Sequence, residues 1–434
     1  MAARVSDRRI LGLAVPALGA LAAEPLYVLV DTAVVGHLGA AQLAGVAIGG
    51  ALLTNATWLC NFLAYGSTAR ASRLFGAGRR DEAVGVGVQA TWIGVLLGIV
   101  LALAFQLVAE PACGLIAGDD QAVQDAAVEW LRIAALGAPF ILVSLAGQGW
   151  MRGVQEVRRP LAYLLGANAV SAAASPILVY GLDMGVAGSA VANVLAQAIA
   201  AALFLRALLR TGVPRRPSWP AMRAQLVVGR DLMARTLAME VAFLTAAAVA
   251  TRMGTDRSAA HQIALQLWLF LALVLDSLAI AAQSLIGELL GRGDRDGARA
   301  TARRILELGG GFGLAIGILL LAGWTLIPKL FTGDGDVRLL EHVAWPWLAG
   351  MQPAAGVLFA LDGVLIGAGD VVFLRNISIV SALGGFLPVT LAAYAFDLGL
   401  GGVWAGLATF IGIRLVGESV RFARGRWAIV GAPA

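Results

Sequence analysis

The sequence predicts an all-α integral membrane protein: about twelve transmembrane helices in two six-helix bundles, related by a parallel internal repeat and flanking a central cleft. Three observations carry that prediction. Composition is the first. Of 434 residues, 59% are hydrophobic and 14% charged, and mean hydropathy is +0.82, whereas soluble domains carry about 25% charged residues. The second is spacing: apolar stretches long enough to cross a bilayer, roughly 20 residues each, follow one another with short polar interruptions. The third is self-similarity at about 215 residues, the feature to seek first in a long chain.

The spans of the first half are read at about 10–35, 42–68, 84–109, 127–151, 160–181 and 185–208. Those of the second are read at about 229–252, 258–288, 303–328, 342–366, 374–396 and 400–422. The expected organisation is an N-terminal lobe at 1–210, a Pro- and Arg-rich cytoplasmic linker at 211–228 and a C-terminal lobe at 229–434. The basic N-terminus (Arg4, Arg8, Arg9) and the apolar run from Ile10 resemble a signal peptide only superficially. That run is too long, contains Pro16, Glu24, Pro25 and Asp31, and lacks a small-residue cleavage site, so it is expected to be the first span.

Charge distribution sets the expected topology. Most of the 32 basic residues lie at the N-terminus, in the loops after even-numbered spans and in the C-terminal tail. The alternate loops carry only Arg252, Arg257, Lys329 and Arg338. Cytoplasmic loops are the basic ones, so both termini are expected in the cytoplasm of a bacterium, with the chain multi-pass in its inner membrane. The net charge of +5 therefore reports topology, and no nucleic-acid partner is expected.

The repeat is visible residue by residue. Phe75 to Ala83 (FGAGRRDEA) overlays Leu290 to Ala298 (LGRGDRDGA), Gly181 to Gly188 (GLDMGVAG) overlays Ala395 to Gly402 (AFDLGLGG), and Pro139 overlays Pro353. An even number of spans per half gives both halves the same orientation, related by an axis along the membrane normal.

Enzyme chemistry finds no footing. Cys60 and Cys113 are expected at different depths, and His37, His261 and His342 are scattered without metal spacing. Gly76-Ala-Gly78 lacks the Lys-Ser or Lys-Thr of a phosphate-binding loop, and no HExxH occurs. No cofactor and no metal are expected.

Ionisable groups inside spans cost roughly 2.5 to 3.5 kcal/mol each, so each is a functional candidate. The first span places Glu24, Tyr27 or Val28, and Asp31 on one face, with Pro25 between the two acids. Proline removes a backbone hydrogen bond and allows a bend there. Asp31, shielded from water, has its charged form disfavoured, which suits it to exchange protons. Arg414 and Glu418, and likewise Asp231 and Arg235, are spaced as local pairs. Glu240, Asp276 and Asp362 lie deeper, each either a bundle-interior group or a cavity-lining charge. Trp58, Phe62 and Tyr65 can line a cavity for aromatic or cationic solutes.

With these residues in hand, the chain resembles the multidrug and toxic compound extrusion (MATE) transporters, in their DinF-like branch. The likeness covers nearly the whole length. It rests on Leu29 to Gly39 (LVDTAVVGHLG), Gly149 to Gln155 (GWMRGVQ), and Ala259 to Gln262 (AAHQ) followed by Leu275-Asp-Ser277. The resemblance implies a monomeric exporter of amphipathic, often cationic small molecules among membrane lipids, coupled to inward H+ or Na+. It implies a coupling-cation site at Asp31 and Tyr27. Where many members carry an asparagine and an aspartate, this sequence has Ser171 and Ser175, followed by Pro176; Gln148 and Asn193 take further polar positions. Loss of the second acid weakens a Na+ site and favours a single titrating group, hence H+. Glu24, Trp58, Phe62, Glu240, Asp276 and Asp362 are the expected substrate-cavity residues. A lipid or lipid-linked-precursor flippase of related architecture, or a major-facilitator-type transporter, is the alternative.

Overall fold

A computed structural model describes residues 5–431, apart from the side chains of Leu339 and Glu341. Among the described residues every regular element is helical, and eleven helices are long and apolar enough to cross a membrane. In chain order these are Asp7–Gly36, Ala40–Gly76, Arg80–Ala117, Arg158–Gly181, Gly185–Leu209, Trp219–Arg252, Thr255–Gly291, Arg295–Ala322, Gly335–Gly367, Val371–Ala395 and Gly399–Ala423. The twelfth, fourth in chain order, is the pair Gln121–Ala135 and Ala138–Gly153, bent by 52°. Gly137 sits at that break and Pro139 in the turn after it, the residues that most readily interrupt a helix.

Most spans are longer than expected at their Arg-rich ends, because polar residues flanking an apolar run continue a helix without loss of hydrogen bonds; the third also runs on to Ala117, and the ninth stops at Ala322, short of the expected 328. The largest difference falls in the connecting segment. Residues 211–218 are irregular, but the seventh span already begins at Trp219 with Pro220 in its first turn, where a missing N–H costs nothing. The irregular part is pinned to the third span: Trp92 Nε1 donates to Arg215 O at 2.9 Å, Gln89 Nε2 to Arg216 O at 3.1 Å, and Ser218 N–H to Gln89 Oε1 at 2.8 Å. The first span runs uninterrupted through Pro16 and Pro25.

By contacts the chain divides into two compact units, Gly19–Gly229, and Arg230–Ala434 together with Met1–Leu18. The chain to Leu18 thus groups with the second half and the connecting segment with the first.

Each unit is built like a membrane protein. Large apolar side chains cover its outside, Leu103, Leu107 and Leu115 in the first and Ile318, Leu319 and Val416 in the second. Exposed leucine matches hydrocarbon as well as a partner would, so close helix contact relies on small residues. In the second unit Gly309, Gly313 and Gly317 recur every fourth residue along one face, and a Cβ at Gly309 would stand 2.4 Å from Gly356 O and one at Gly313 2.2 Å from Gln352 O. In the first unit a Cβ at Gly94 would stand 2.9 Å from Leu142 O and one at Gly98 2.3 Å from the Pro139 Cα. Both halves therefore cross the same two helices on glycine, at corresponding positions.

Backbone conformation repeats as well. Gly78 and Gly293 close the equivalent loops at φ 78° and 86°, and Asp183 and Asp397 both adopt φ near 50°, at 54° and 50°. A non-glycine residue at positive φ is uncommon, so its occurrence at matched positions shows that the sequence repeat is a structural one.

Candidate functional site

Asp31 lies in the first span, 5% exposed, and three other segments of the same unit converge on it. Ser175 Oγ donates to Asp31 Oδ1 at 2.8 Å and Ser189 Oγ to Oδ2 at 2.7 Å. Ser189 in turn accepts the indole N–H of Trp130 at 3.1 Å. Ser171, one turn before Ser175 and fully buried, donates to Ala192 O at 3.0 Å. Tyr27 is buried one turn before Asp31, beside Ser171 and Asn193. The Tyr27 hydroxyl and Asn193 Oδ1 have no hydrogen-bond partner among the described residues.

Local structure brings the fifth span to this point. Pro176 follows Ser175 and the next five residues, Ile177–Gly181, form a π-helical turn. A proline without an N–H and a widened turn after it commonly mark a functional position in a helix. Tyr180 in that turn donates its hydroxyl to Val34 O, closing the fifth span against the first.

Among the described residues no Lys, Arg or His pairs with Asp31. The carboxylate is buried with two hydroxyl donors and no cation. Hydroxyls donate or accept by rotating, so the same three side chains can hold the carboxylate or the carboxylic acid. Gln148, expected nearby, is committed elsewhere: its Oε1 accepts from Arg152 at 2.8 Å, one turn along its own helix.

Asp362 presents the contrasting case in the other unit. It is also buried, yet Arg235 reaches its Oδ2 at 2.7 Å and Arg414 spans Oδ1 and Oδ2 at 2.7 and 2.6 Å. Arg414 contacts Glu418 at 3.3 Å and lies over the Phe410 ring, 5.7 Å from its centroid. Arg414 and Glu418 are 2% and 0% exposed, so they do not reach toward the interface as a local pair would. Arg235 turns to Asp362, and Asp231 is held instead by Arg375 at 2.6 Å and Arg230 at 3.3 Å. Long guanidinium stems reach across helices to a buried acid because an unpaired charge in a low-dielectric interior is the costlier alternative. Asp362 is thus a bundle-interior group rather than a cavity wall.

The remaining expected cavity residues do not gather. Glu24 lies on the helical face shared by Tyr27 and Asp31 but is exposed where they are buried. Trp58 is exposed at the end of a helix, before the 3₁₀ turn Leu59–Asn61. Phe62 is buried against Gly229, where a Cβ would stand 2.4 Å from its ring, in a small cavity shared with Arg70 and Gln225. Asp276 and Glu240 are both half-buried, and Glu240 makes no hydrogen bond or ion pair among the described residues. Sequence reasoning missed Ser189 and Trp130. Ser189 lies four residues before Asn193, on the same helical face, and that spacing was the available signal.

The fold and this site define an integral membrane protein made from a duplicated six-helix unit, with an unneutralised carboxylate buried in the first half and a neutralised one in the second. The MatE family pattern matches residues 16–177 and 232–390, and the chain belongs to that family. It is 32% identical to Protein DETOXIFICATION 44, chloroplastic, of Arabidopsis thaliana, over 95% of this chain and 81% of that one. It is 29% identical to DNA damage-inducible protein F of Escherichia coli, over 94% and 90%. Among solved structures, the outward-facing conformation of a multidrug resistance MATE family transporter of the MOP superfamily superposes with a TM-score of 0.85 at 21% identity, covering 97% of this chain and 95% of that one. Family membership replaces the major-facilitator-type alternative.

Proposed function

We propose that the protein is a secondary active exporter of amphipathic, cationic small molecules in the bacterial inner membrane, both termini cytoplasmic. It works by alternating access and is driven by inward proton movement through Asp31. Membership of a family of transporters supports efflux. The observation that carries the coupling assignment is the environment of Asp31: one buried carboxylate, two hydroxyl donors, no neutralising cation. Tyr27, Ser171, Ser175, Ser189 and Asn193 are its supporting shell. A buried carboxylate without a counter-ion lowers its cost by taking up a proton, and gives it up where water or a cation reaches it. With Ser171 and Ser175 at the positions where a second acid would stand, the pocket offers Na+ a single full charge, which favours H+.

The energetics suffice. Exchange of one proton for one monovalent cation is driven by the pH difference, about 1.4 kcal/mol or roughly a tenfold cation gradient per unit, and for a neutral solute a potential of 100 mV adds about 2.3 kcal/mol. The test is transport in proteoliposomes under an imposed proton or sodium gradient, comparing wild type with Asp31→Asn. Uphill export in the wild type should follow the proton gradient and fall at least tenfold in the variant. Export by the variant at the wild-type rate contradicts the assignment of Asp31, and a labelled lipid moved in place of an amphipathic cation substitutes the flippase reading.

A further inference from the structure

Away from Asp31, at the Arg-rich ends of the helices of the same unit, lies a cavity of about 260 Å³. Its wall comes from four spans: Arg80, Asp81 and Val84 from the third; Trp150 and Met151 from the end of the fourth, with Val154 and Glu156 after it; Arg159 from the fifth; Ala207 and the following Thr211 from the sixth. Val84, Trp150 and Met151 form a buried apolar floor, and Arg80, Asp81 and Arg159 are exposed at the rim.

Charge in this cavity is of both signs and only loosely joined. Arg80 and Asp81 form no ion pair among the described residues, and Arg159 and Glu156 form an exposed salt bridge at 3.7 Å, beyond hydrogen-bond distance. Trp150 is 5% exposed, and its Nε1–H has no acceptor among the described residues. Two helices begin at the cavity, at Arg80 and Arg158, each bringing unsatisfied N–H groups and the positive end of its dipole. A simple anion would meet Asp81 and Glu156 as well as the two arginines. A zwitterion carrying both a phosphate and an ammonium satisfies all four.

We propose that this cavity binds the headgroup of an ethanolamine-type phospholipid: phosphate toward Arg80, Arg159 and the two helix N-termini, primary ammonium toward Asp81 and Glu156. The volume is below the roughly 300 to 1,000 Å³ of sites that enclose drug-sized molecules, which fits a headgroup and not a transported solute. The position at the ends of the spans is where headgroups lie, and basic pockets between helices at that depth recruit lipid phosphates. The second half has no counterpart. The repeat places Arg295 and Asp296 at the positions of Arg80 and Asp81, but Val364 and Phe373 at those of Trp150 and Arg159. The proposal is independent of the coupling role of Asp31.

Native mass spectrometry of the detergent-purified protein tests it, with phosphatidylethanolamine, phosphatidylglycerol, inorganic phosphate and soluble phosphoethanolamine as probes. The wild type and Arg295→Ala should each retain one phosphatidylethanolamine in preference to phosphatidylglycerol. Arg80→Ala/Arg159→Ala should retain at least tenfold less. Asp81→Asn/Glu156→Gln, which keeps the phosphate ligands, should lose the preference for ethanolamine over glycerol while still binding lipid. Equal retention by wild type and the arginine variant overturns the site. A site filled equally well by phosphoethanolamine or inorganic phosphate overturns its assignment to lipid.

Discussion

Asp31 and Asp362 are two aspartates buried to the same degree, 5% and 4% exposed, and their neighbours give them different work. Asp31 has two serine hydroxyls; Asp362 has two guanidinium groups within 2.7 Å. The first can take up or release a proton while its hydroxyls rotate to suit, whereas the second is matched to two cations. Removing one member of a buried ion pair leaves the other unpaired and costs about 3 to 5 kcal/mol. Asp362→Asn and Arg414→Met are therefore each expected to lower the melting temperature in detergent markedly. The double variant should lose less than the sum of the two, a double-mutant cycle giving a coupling energy on the order of 2 kcal/mol. Proton coupling per folded molecule should be unchanged in both. At Asp31 the smaller change Trp130→Phe removes only the donor that orients Ser189, so transport should slow several-fold with the protein still folded, as read in proteoliposomes.

Helix positions carried most of what the sequence could reveal. The apolar runs marked twelve crossings, and Pro139 with Gly137 supplied a reason for the broken fourth span that the runs alone concealed. The start of the seventh span was hidden because Pro214 to Pro220 reads as linker until Pro220 proves to occupy a first turn. Asp31, Tyr27, Ser171, Ser175 and Asn193 could be assembled from register and family likeness. Gln148 could not be separated from the site, since helical periodicity places a residue on a face without saying which neighbour covers that face. The partners of Arg235 and Arg414 were hidden for the same reason: local spacing offers Asp231 and Glu418, and only the packed bundle brings Asp362 between them. At the glycine crossing the packing allows no added volume. A Cβ at Gly356 would stand 2.0 Å from Gly309 O, so Gly356→Val should separate the two helices. The expected result is loss of the monodisperse peak in fluorescence-detected size-exclusion chromatography. Gly350→Val is the control, on the same helix where no atom stands within 4 Å of an added Cβ.

For the molecule as a whole, the asymmetry between its halves limits what one transport cycle can do. The fold is duplicated down to the positive-φ aspartates at 183 and 397, but the unneutralised buried carboxylate is present in the first copy and the salt-bridged one in the second. With the proposed coupling through Asp31 alone, one proton moves per cycle, and exchange of one proton for one monovalent cation transfers no net charge. Export of such a cation should then be abolished by nigericin, which collapses the pH gradient, and persist under valinomycin with potassium, which collapses the potential. Export of a neutral solute should respond to both. The most direct measurement of the central claim is proton release in weakly buffered detergent solution when an amphipathic cation such as ethidium is added to the purified protein. The account predicts about one proton per molecule from the wild type and from Asp362→Asn, and none from Asp31→Asn. Undiminished release from Asp31→Asn, or release lost in Asp362→Asn with the protein still folded, would contradict it.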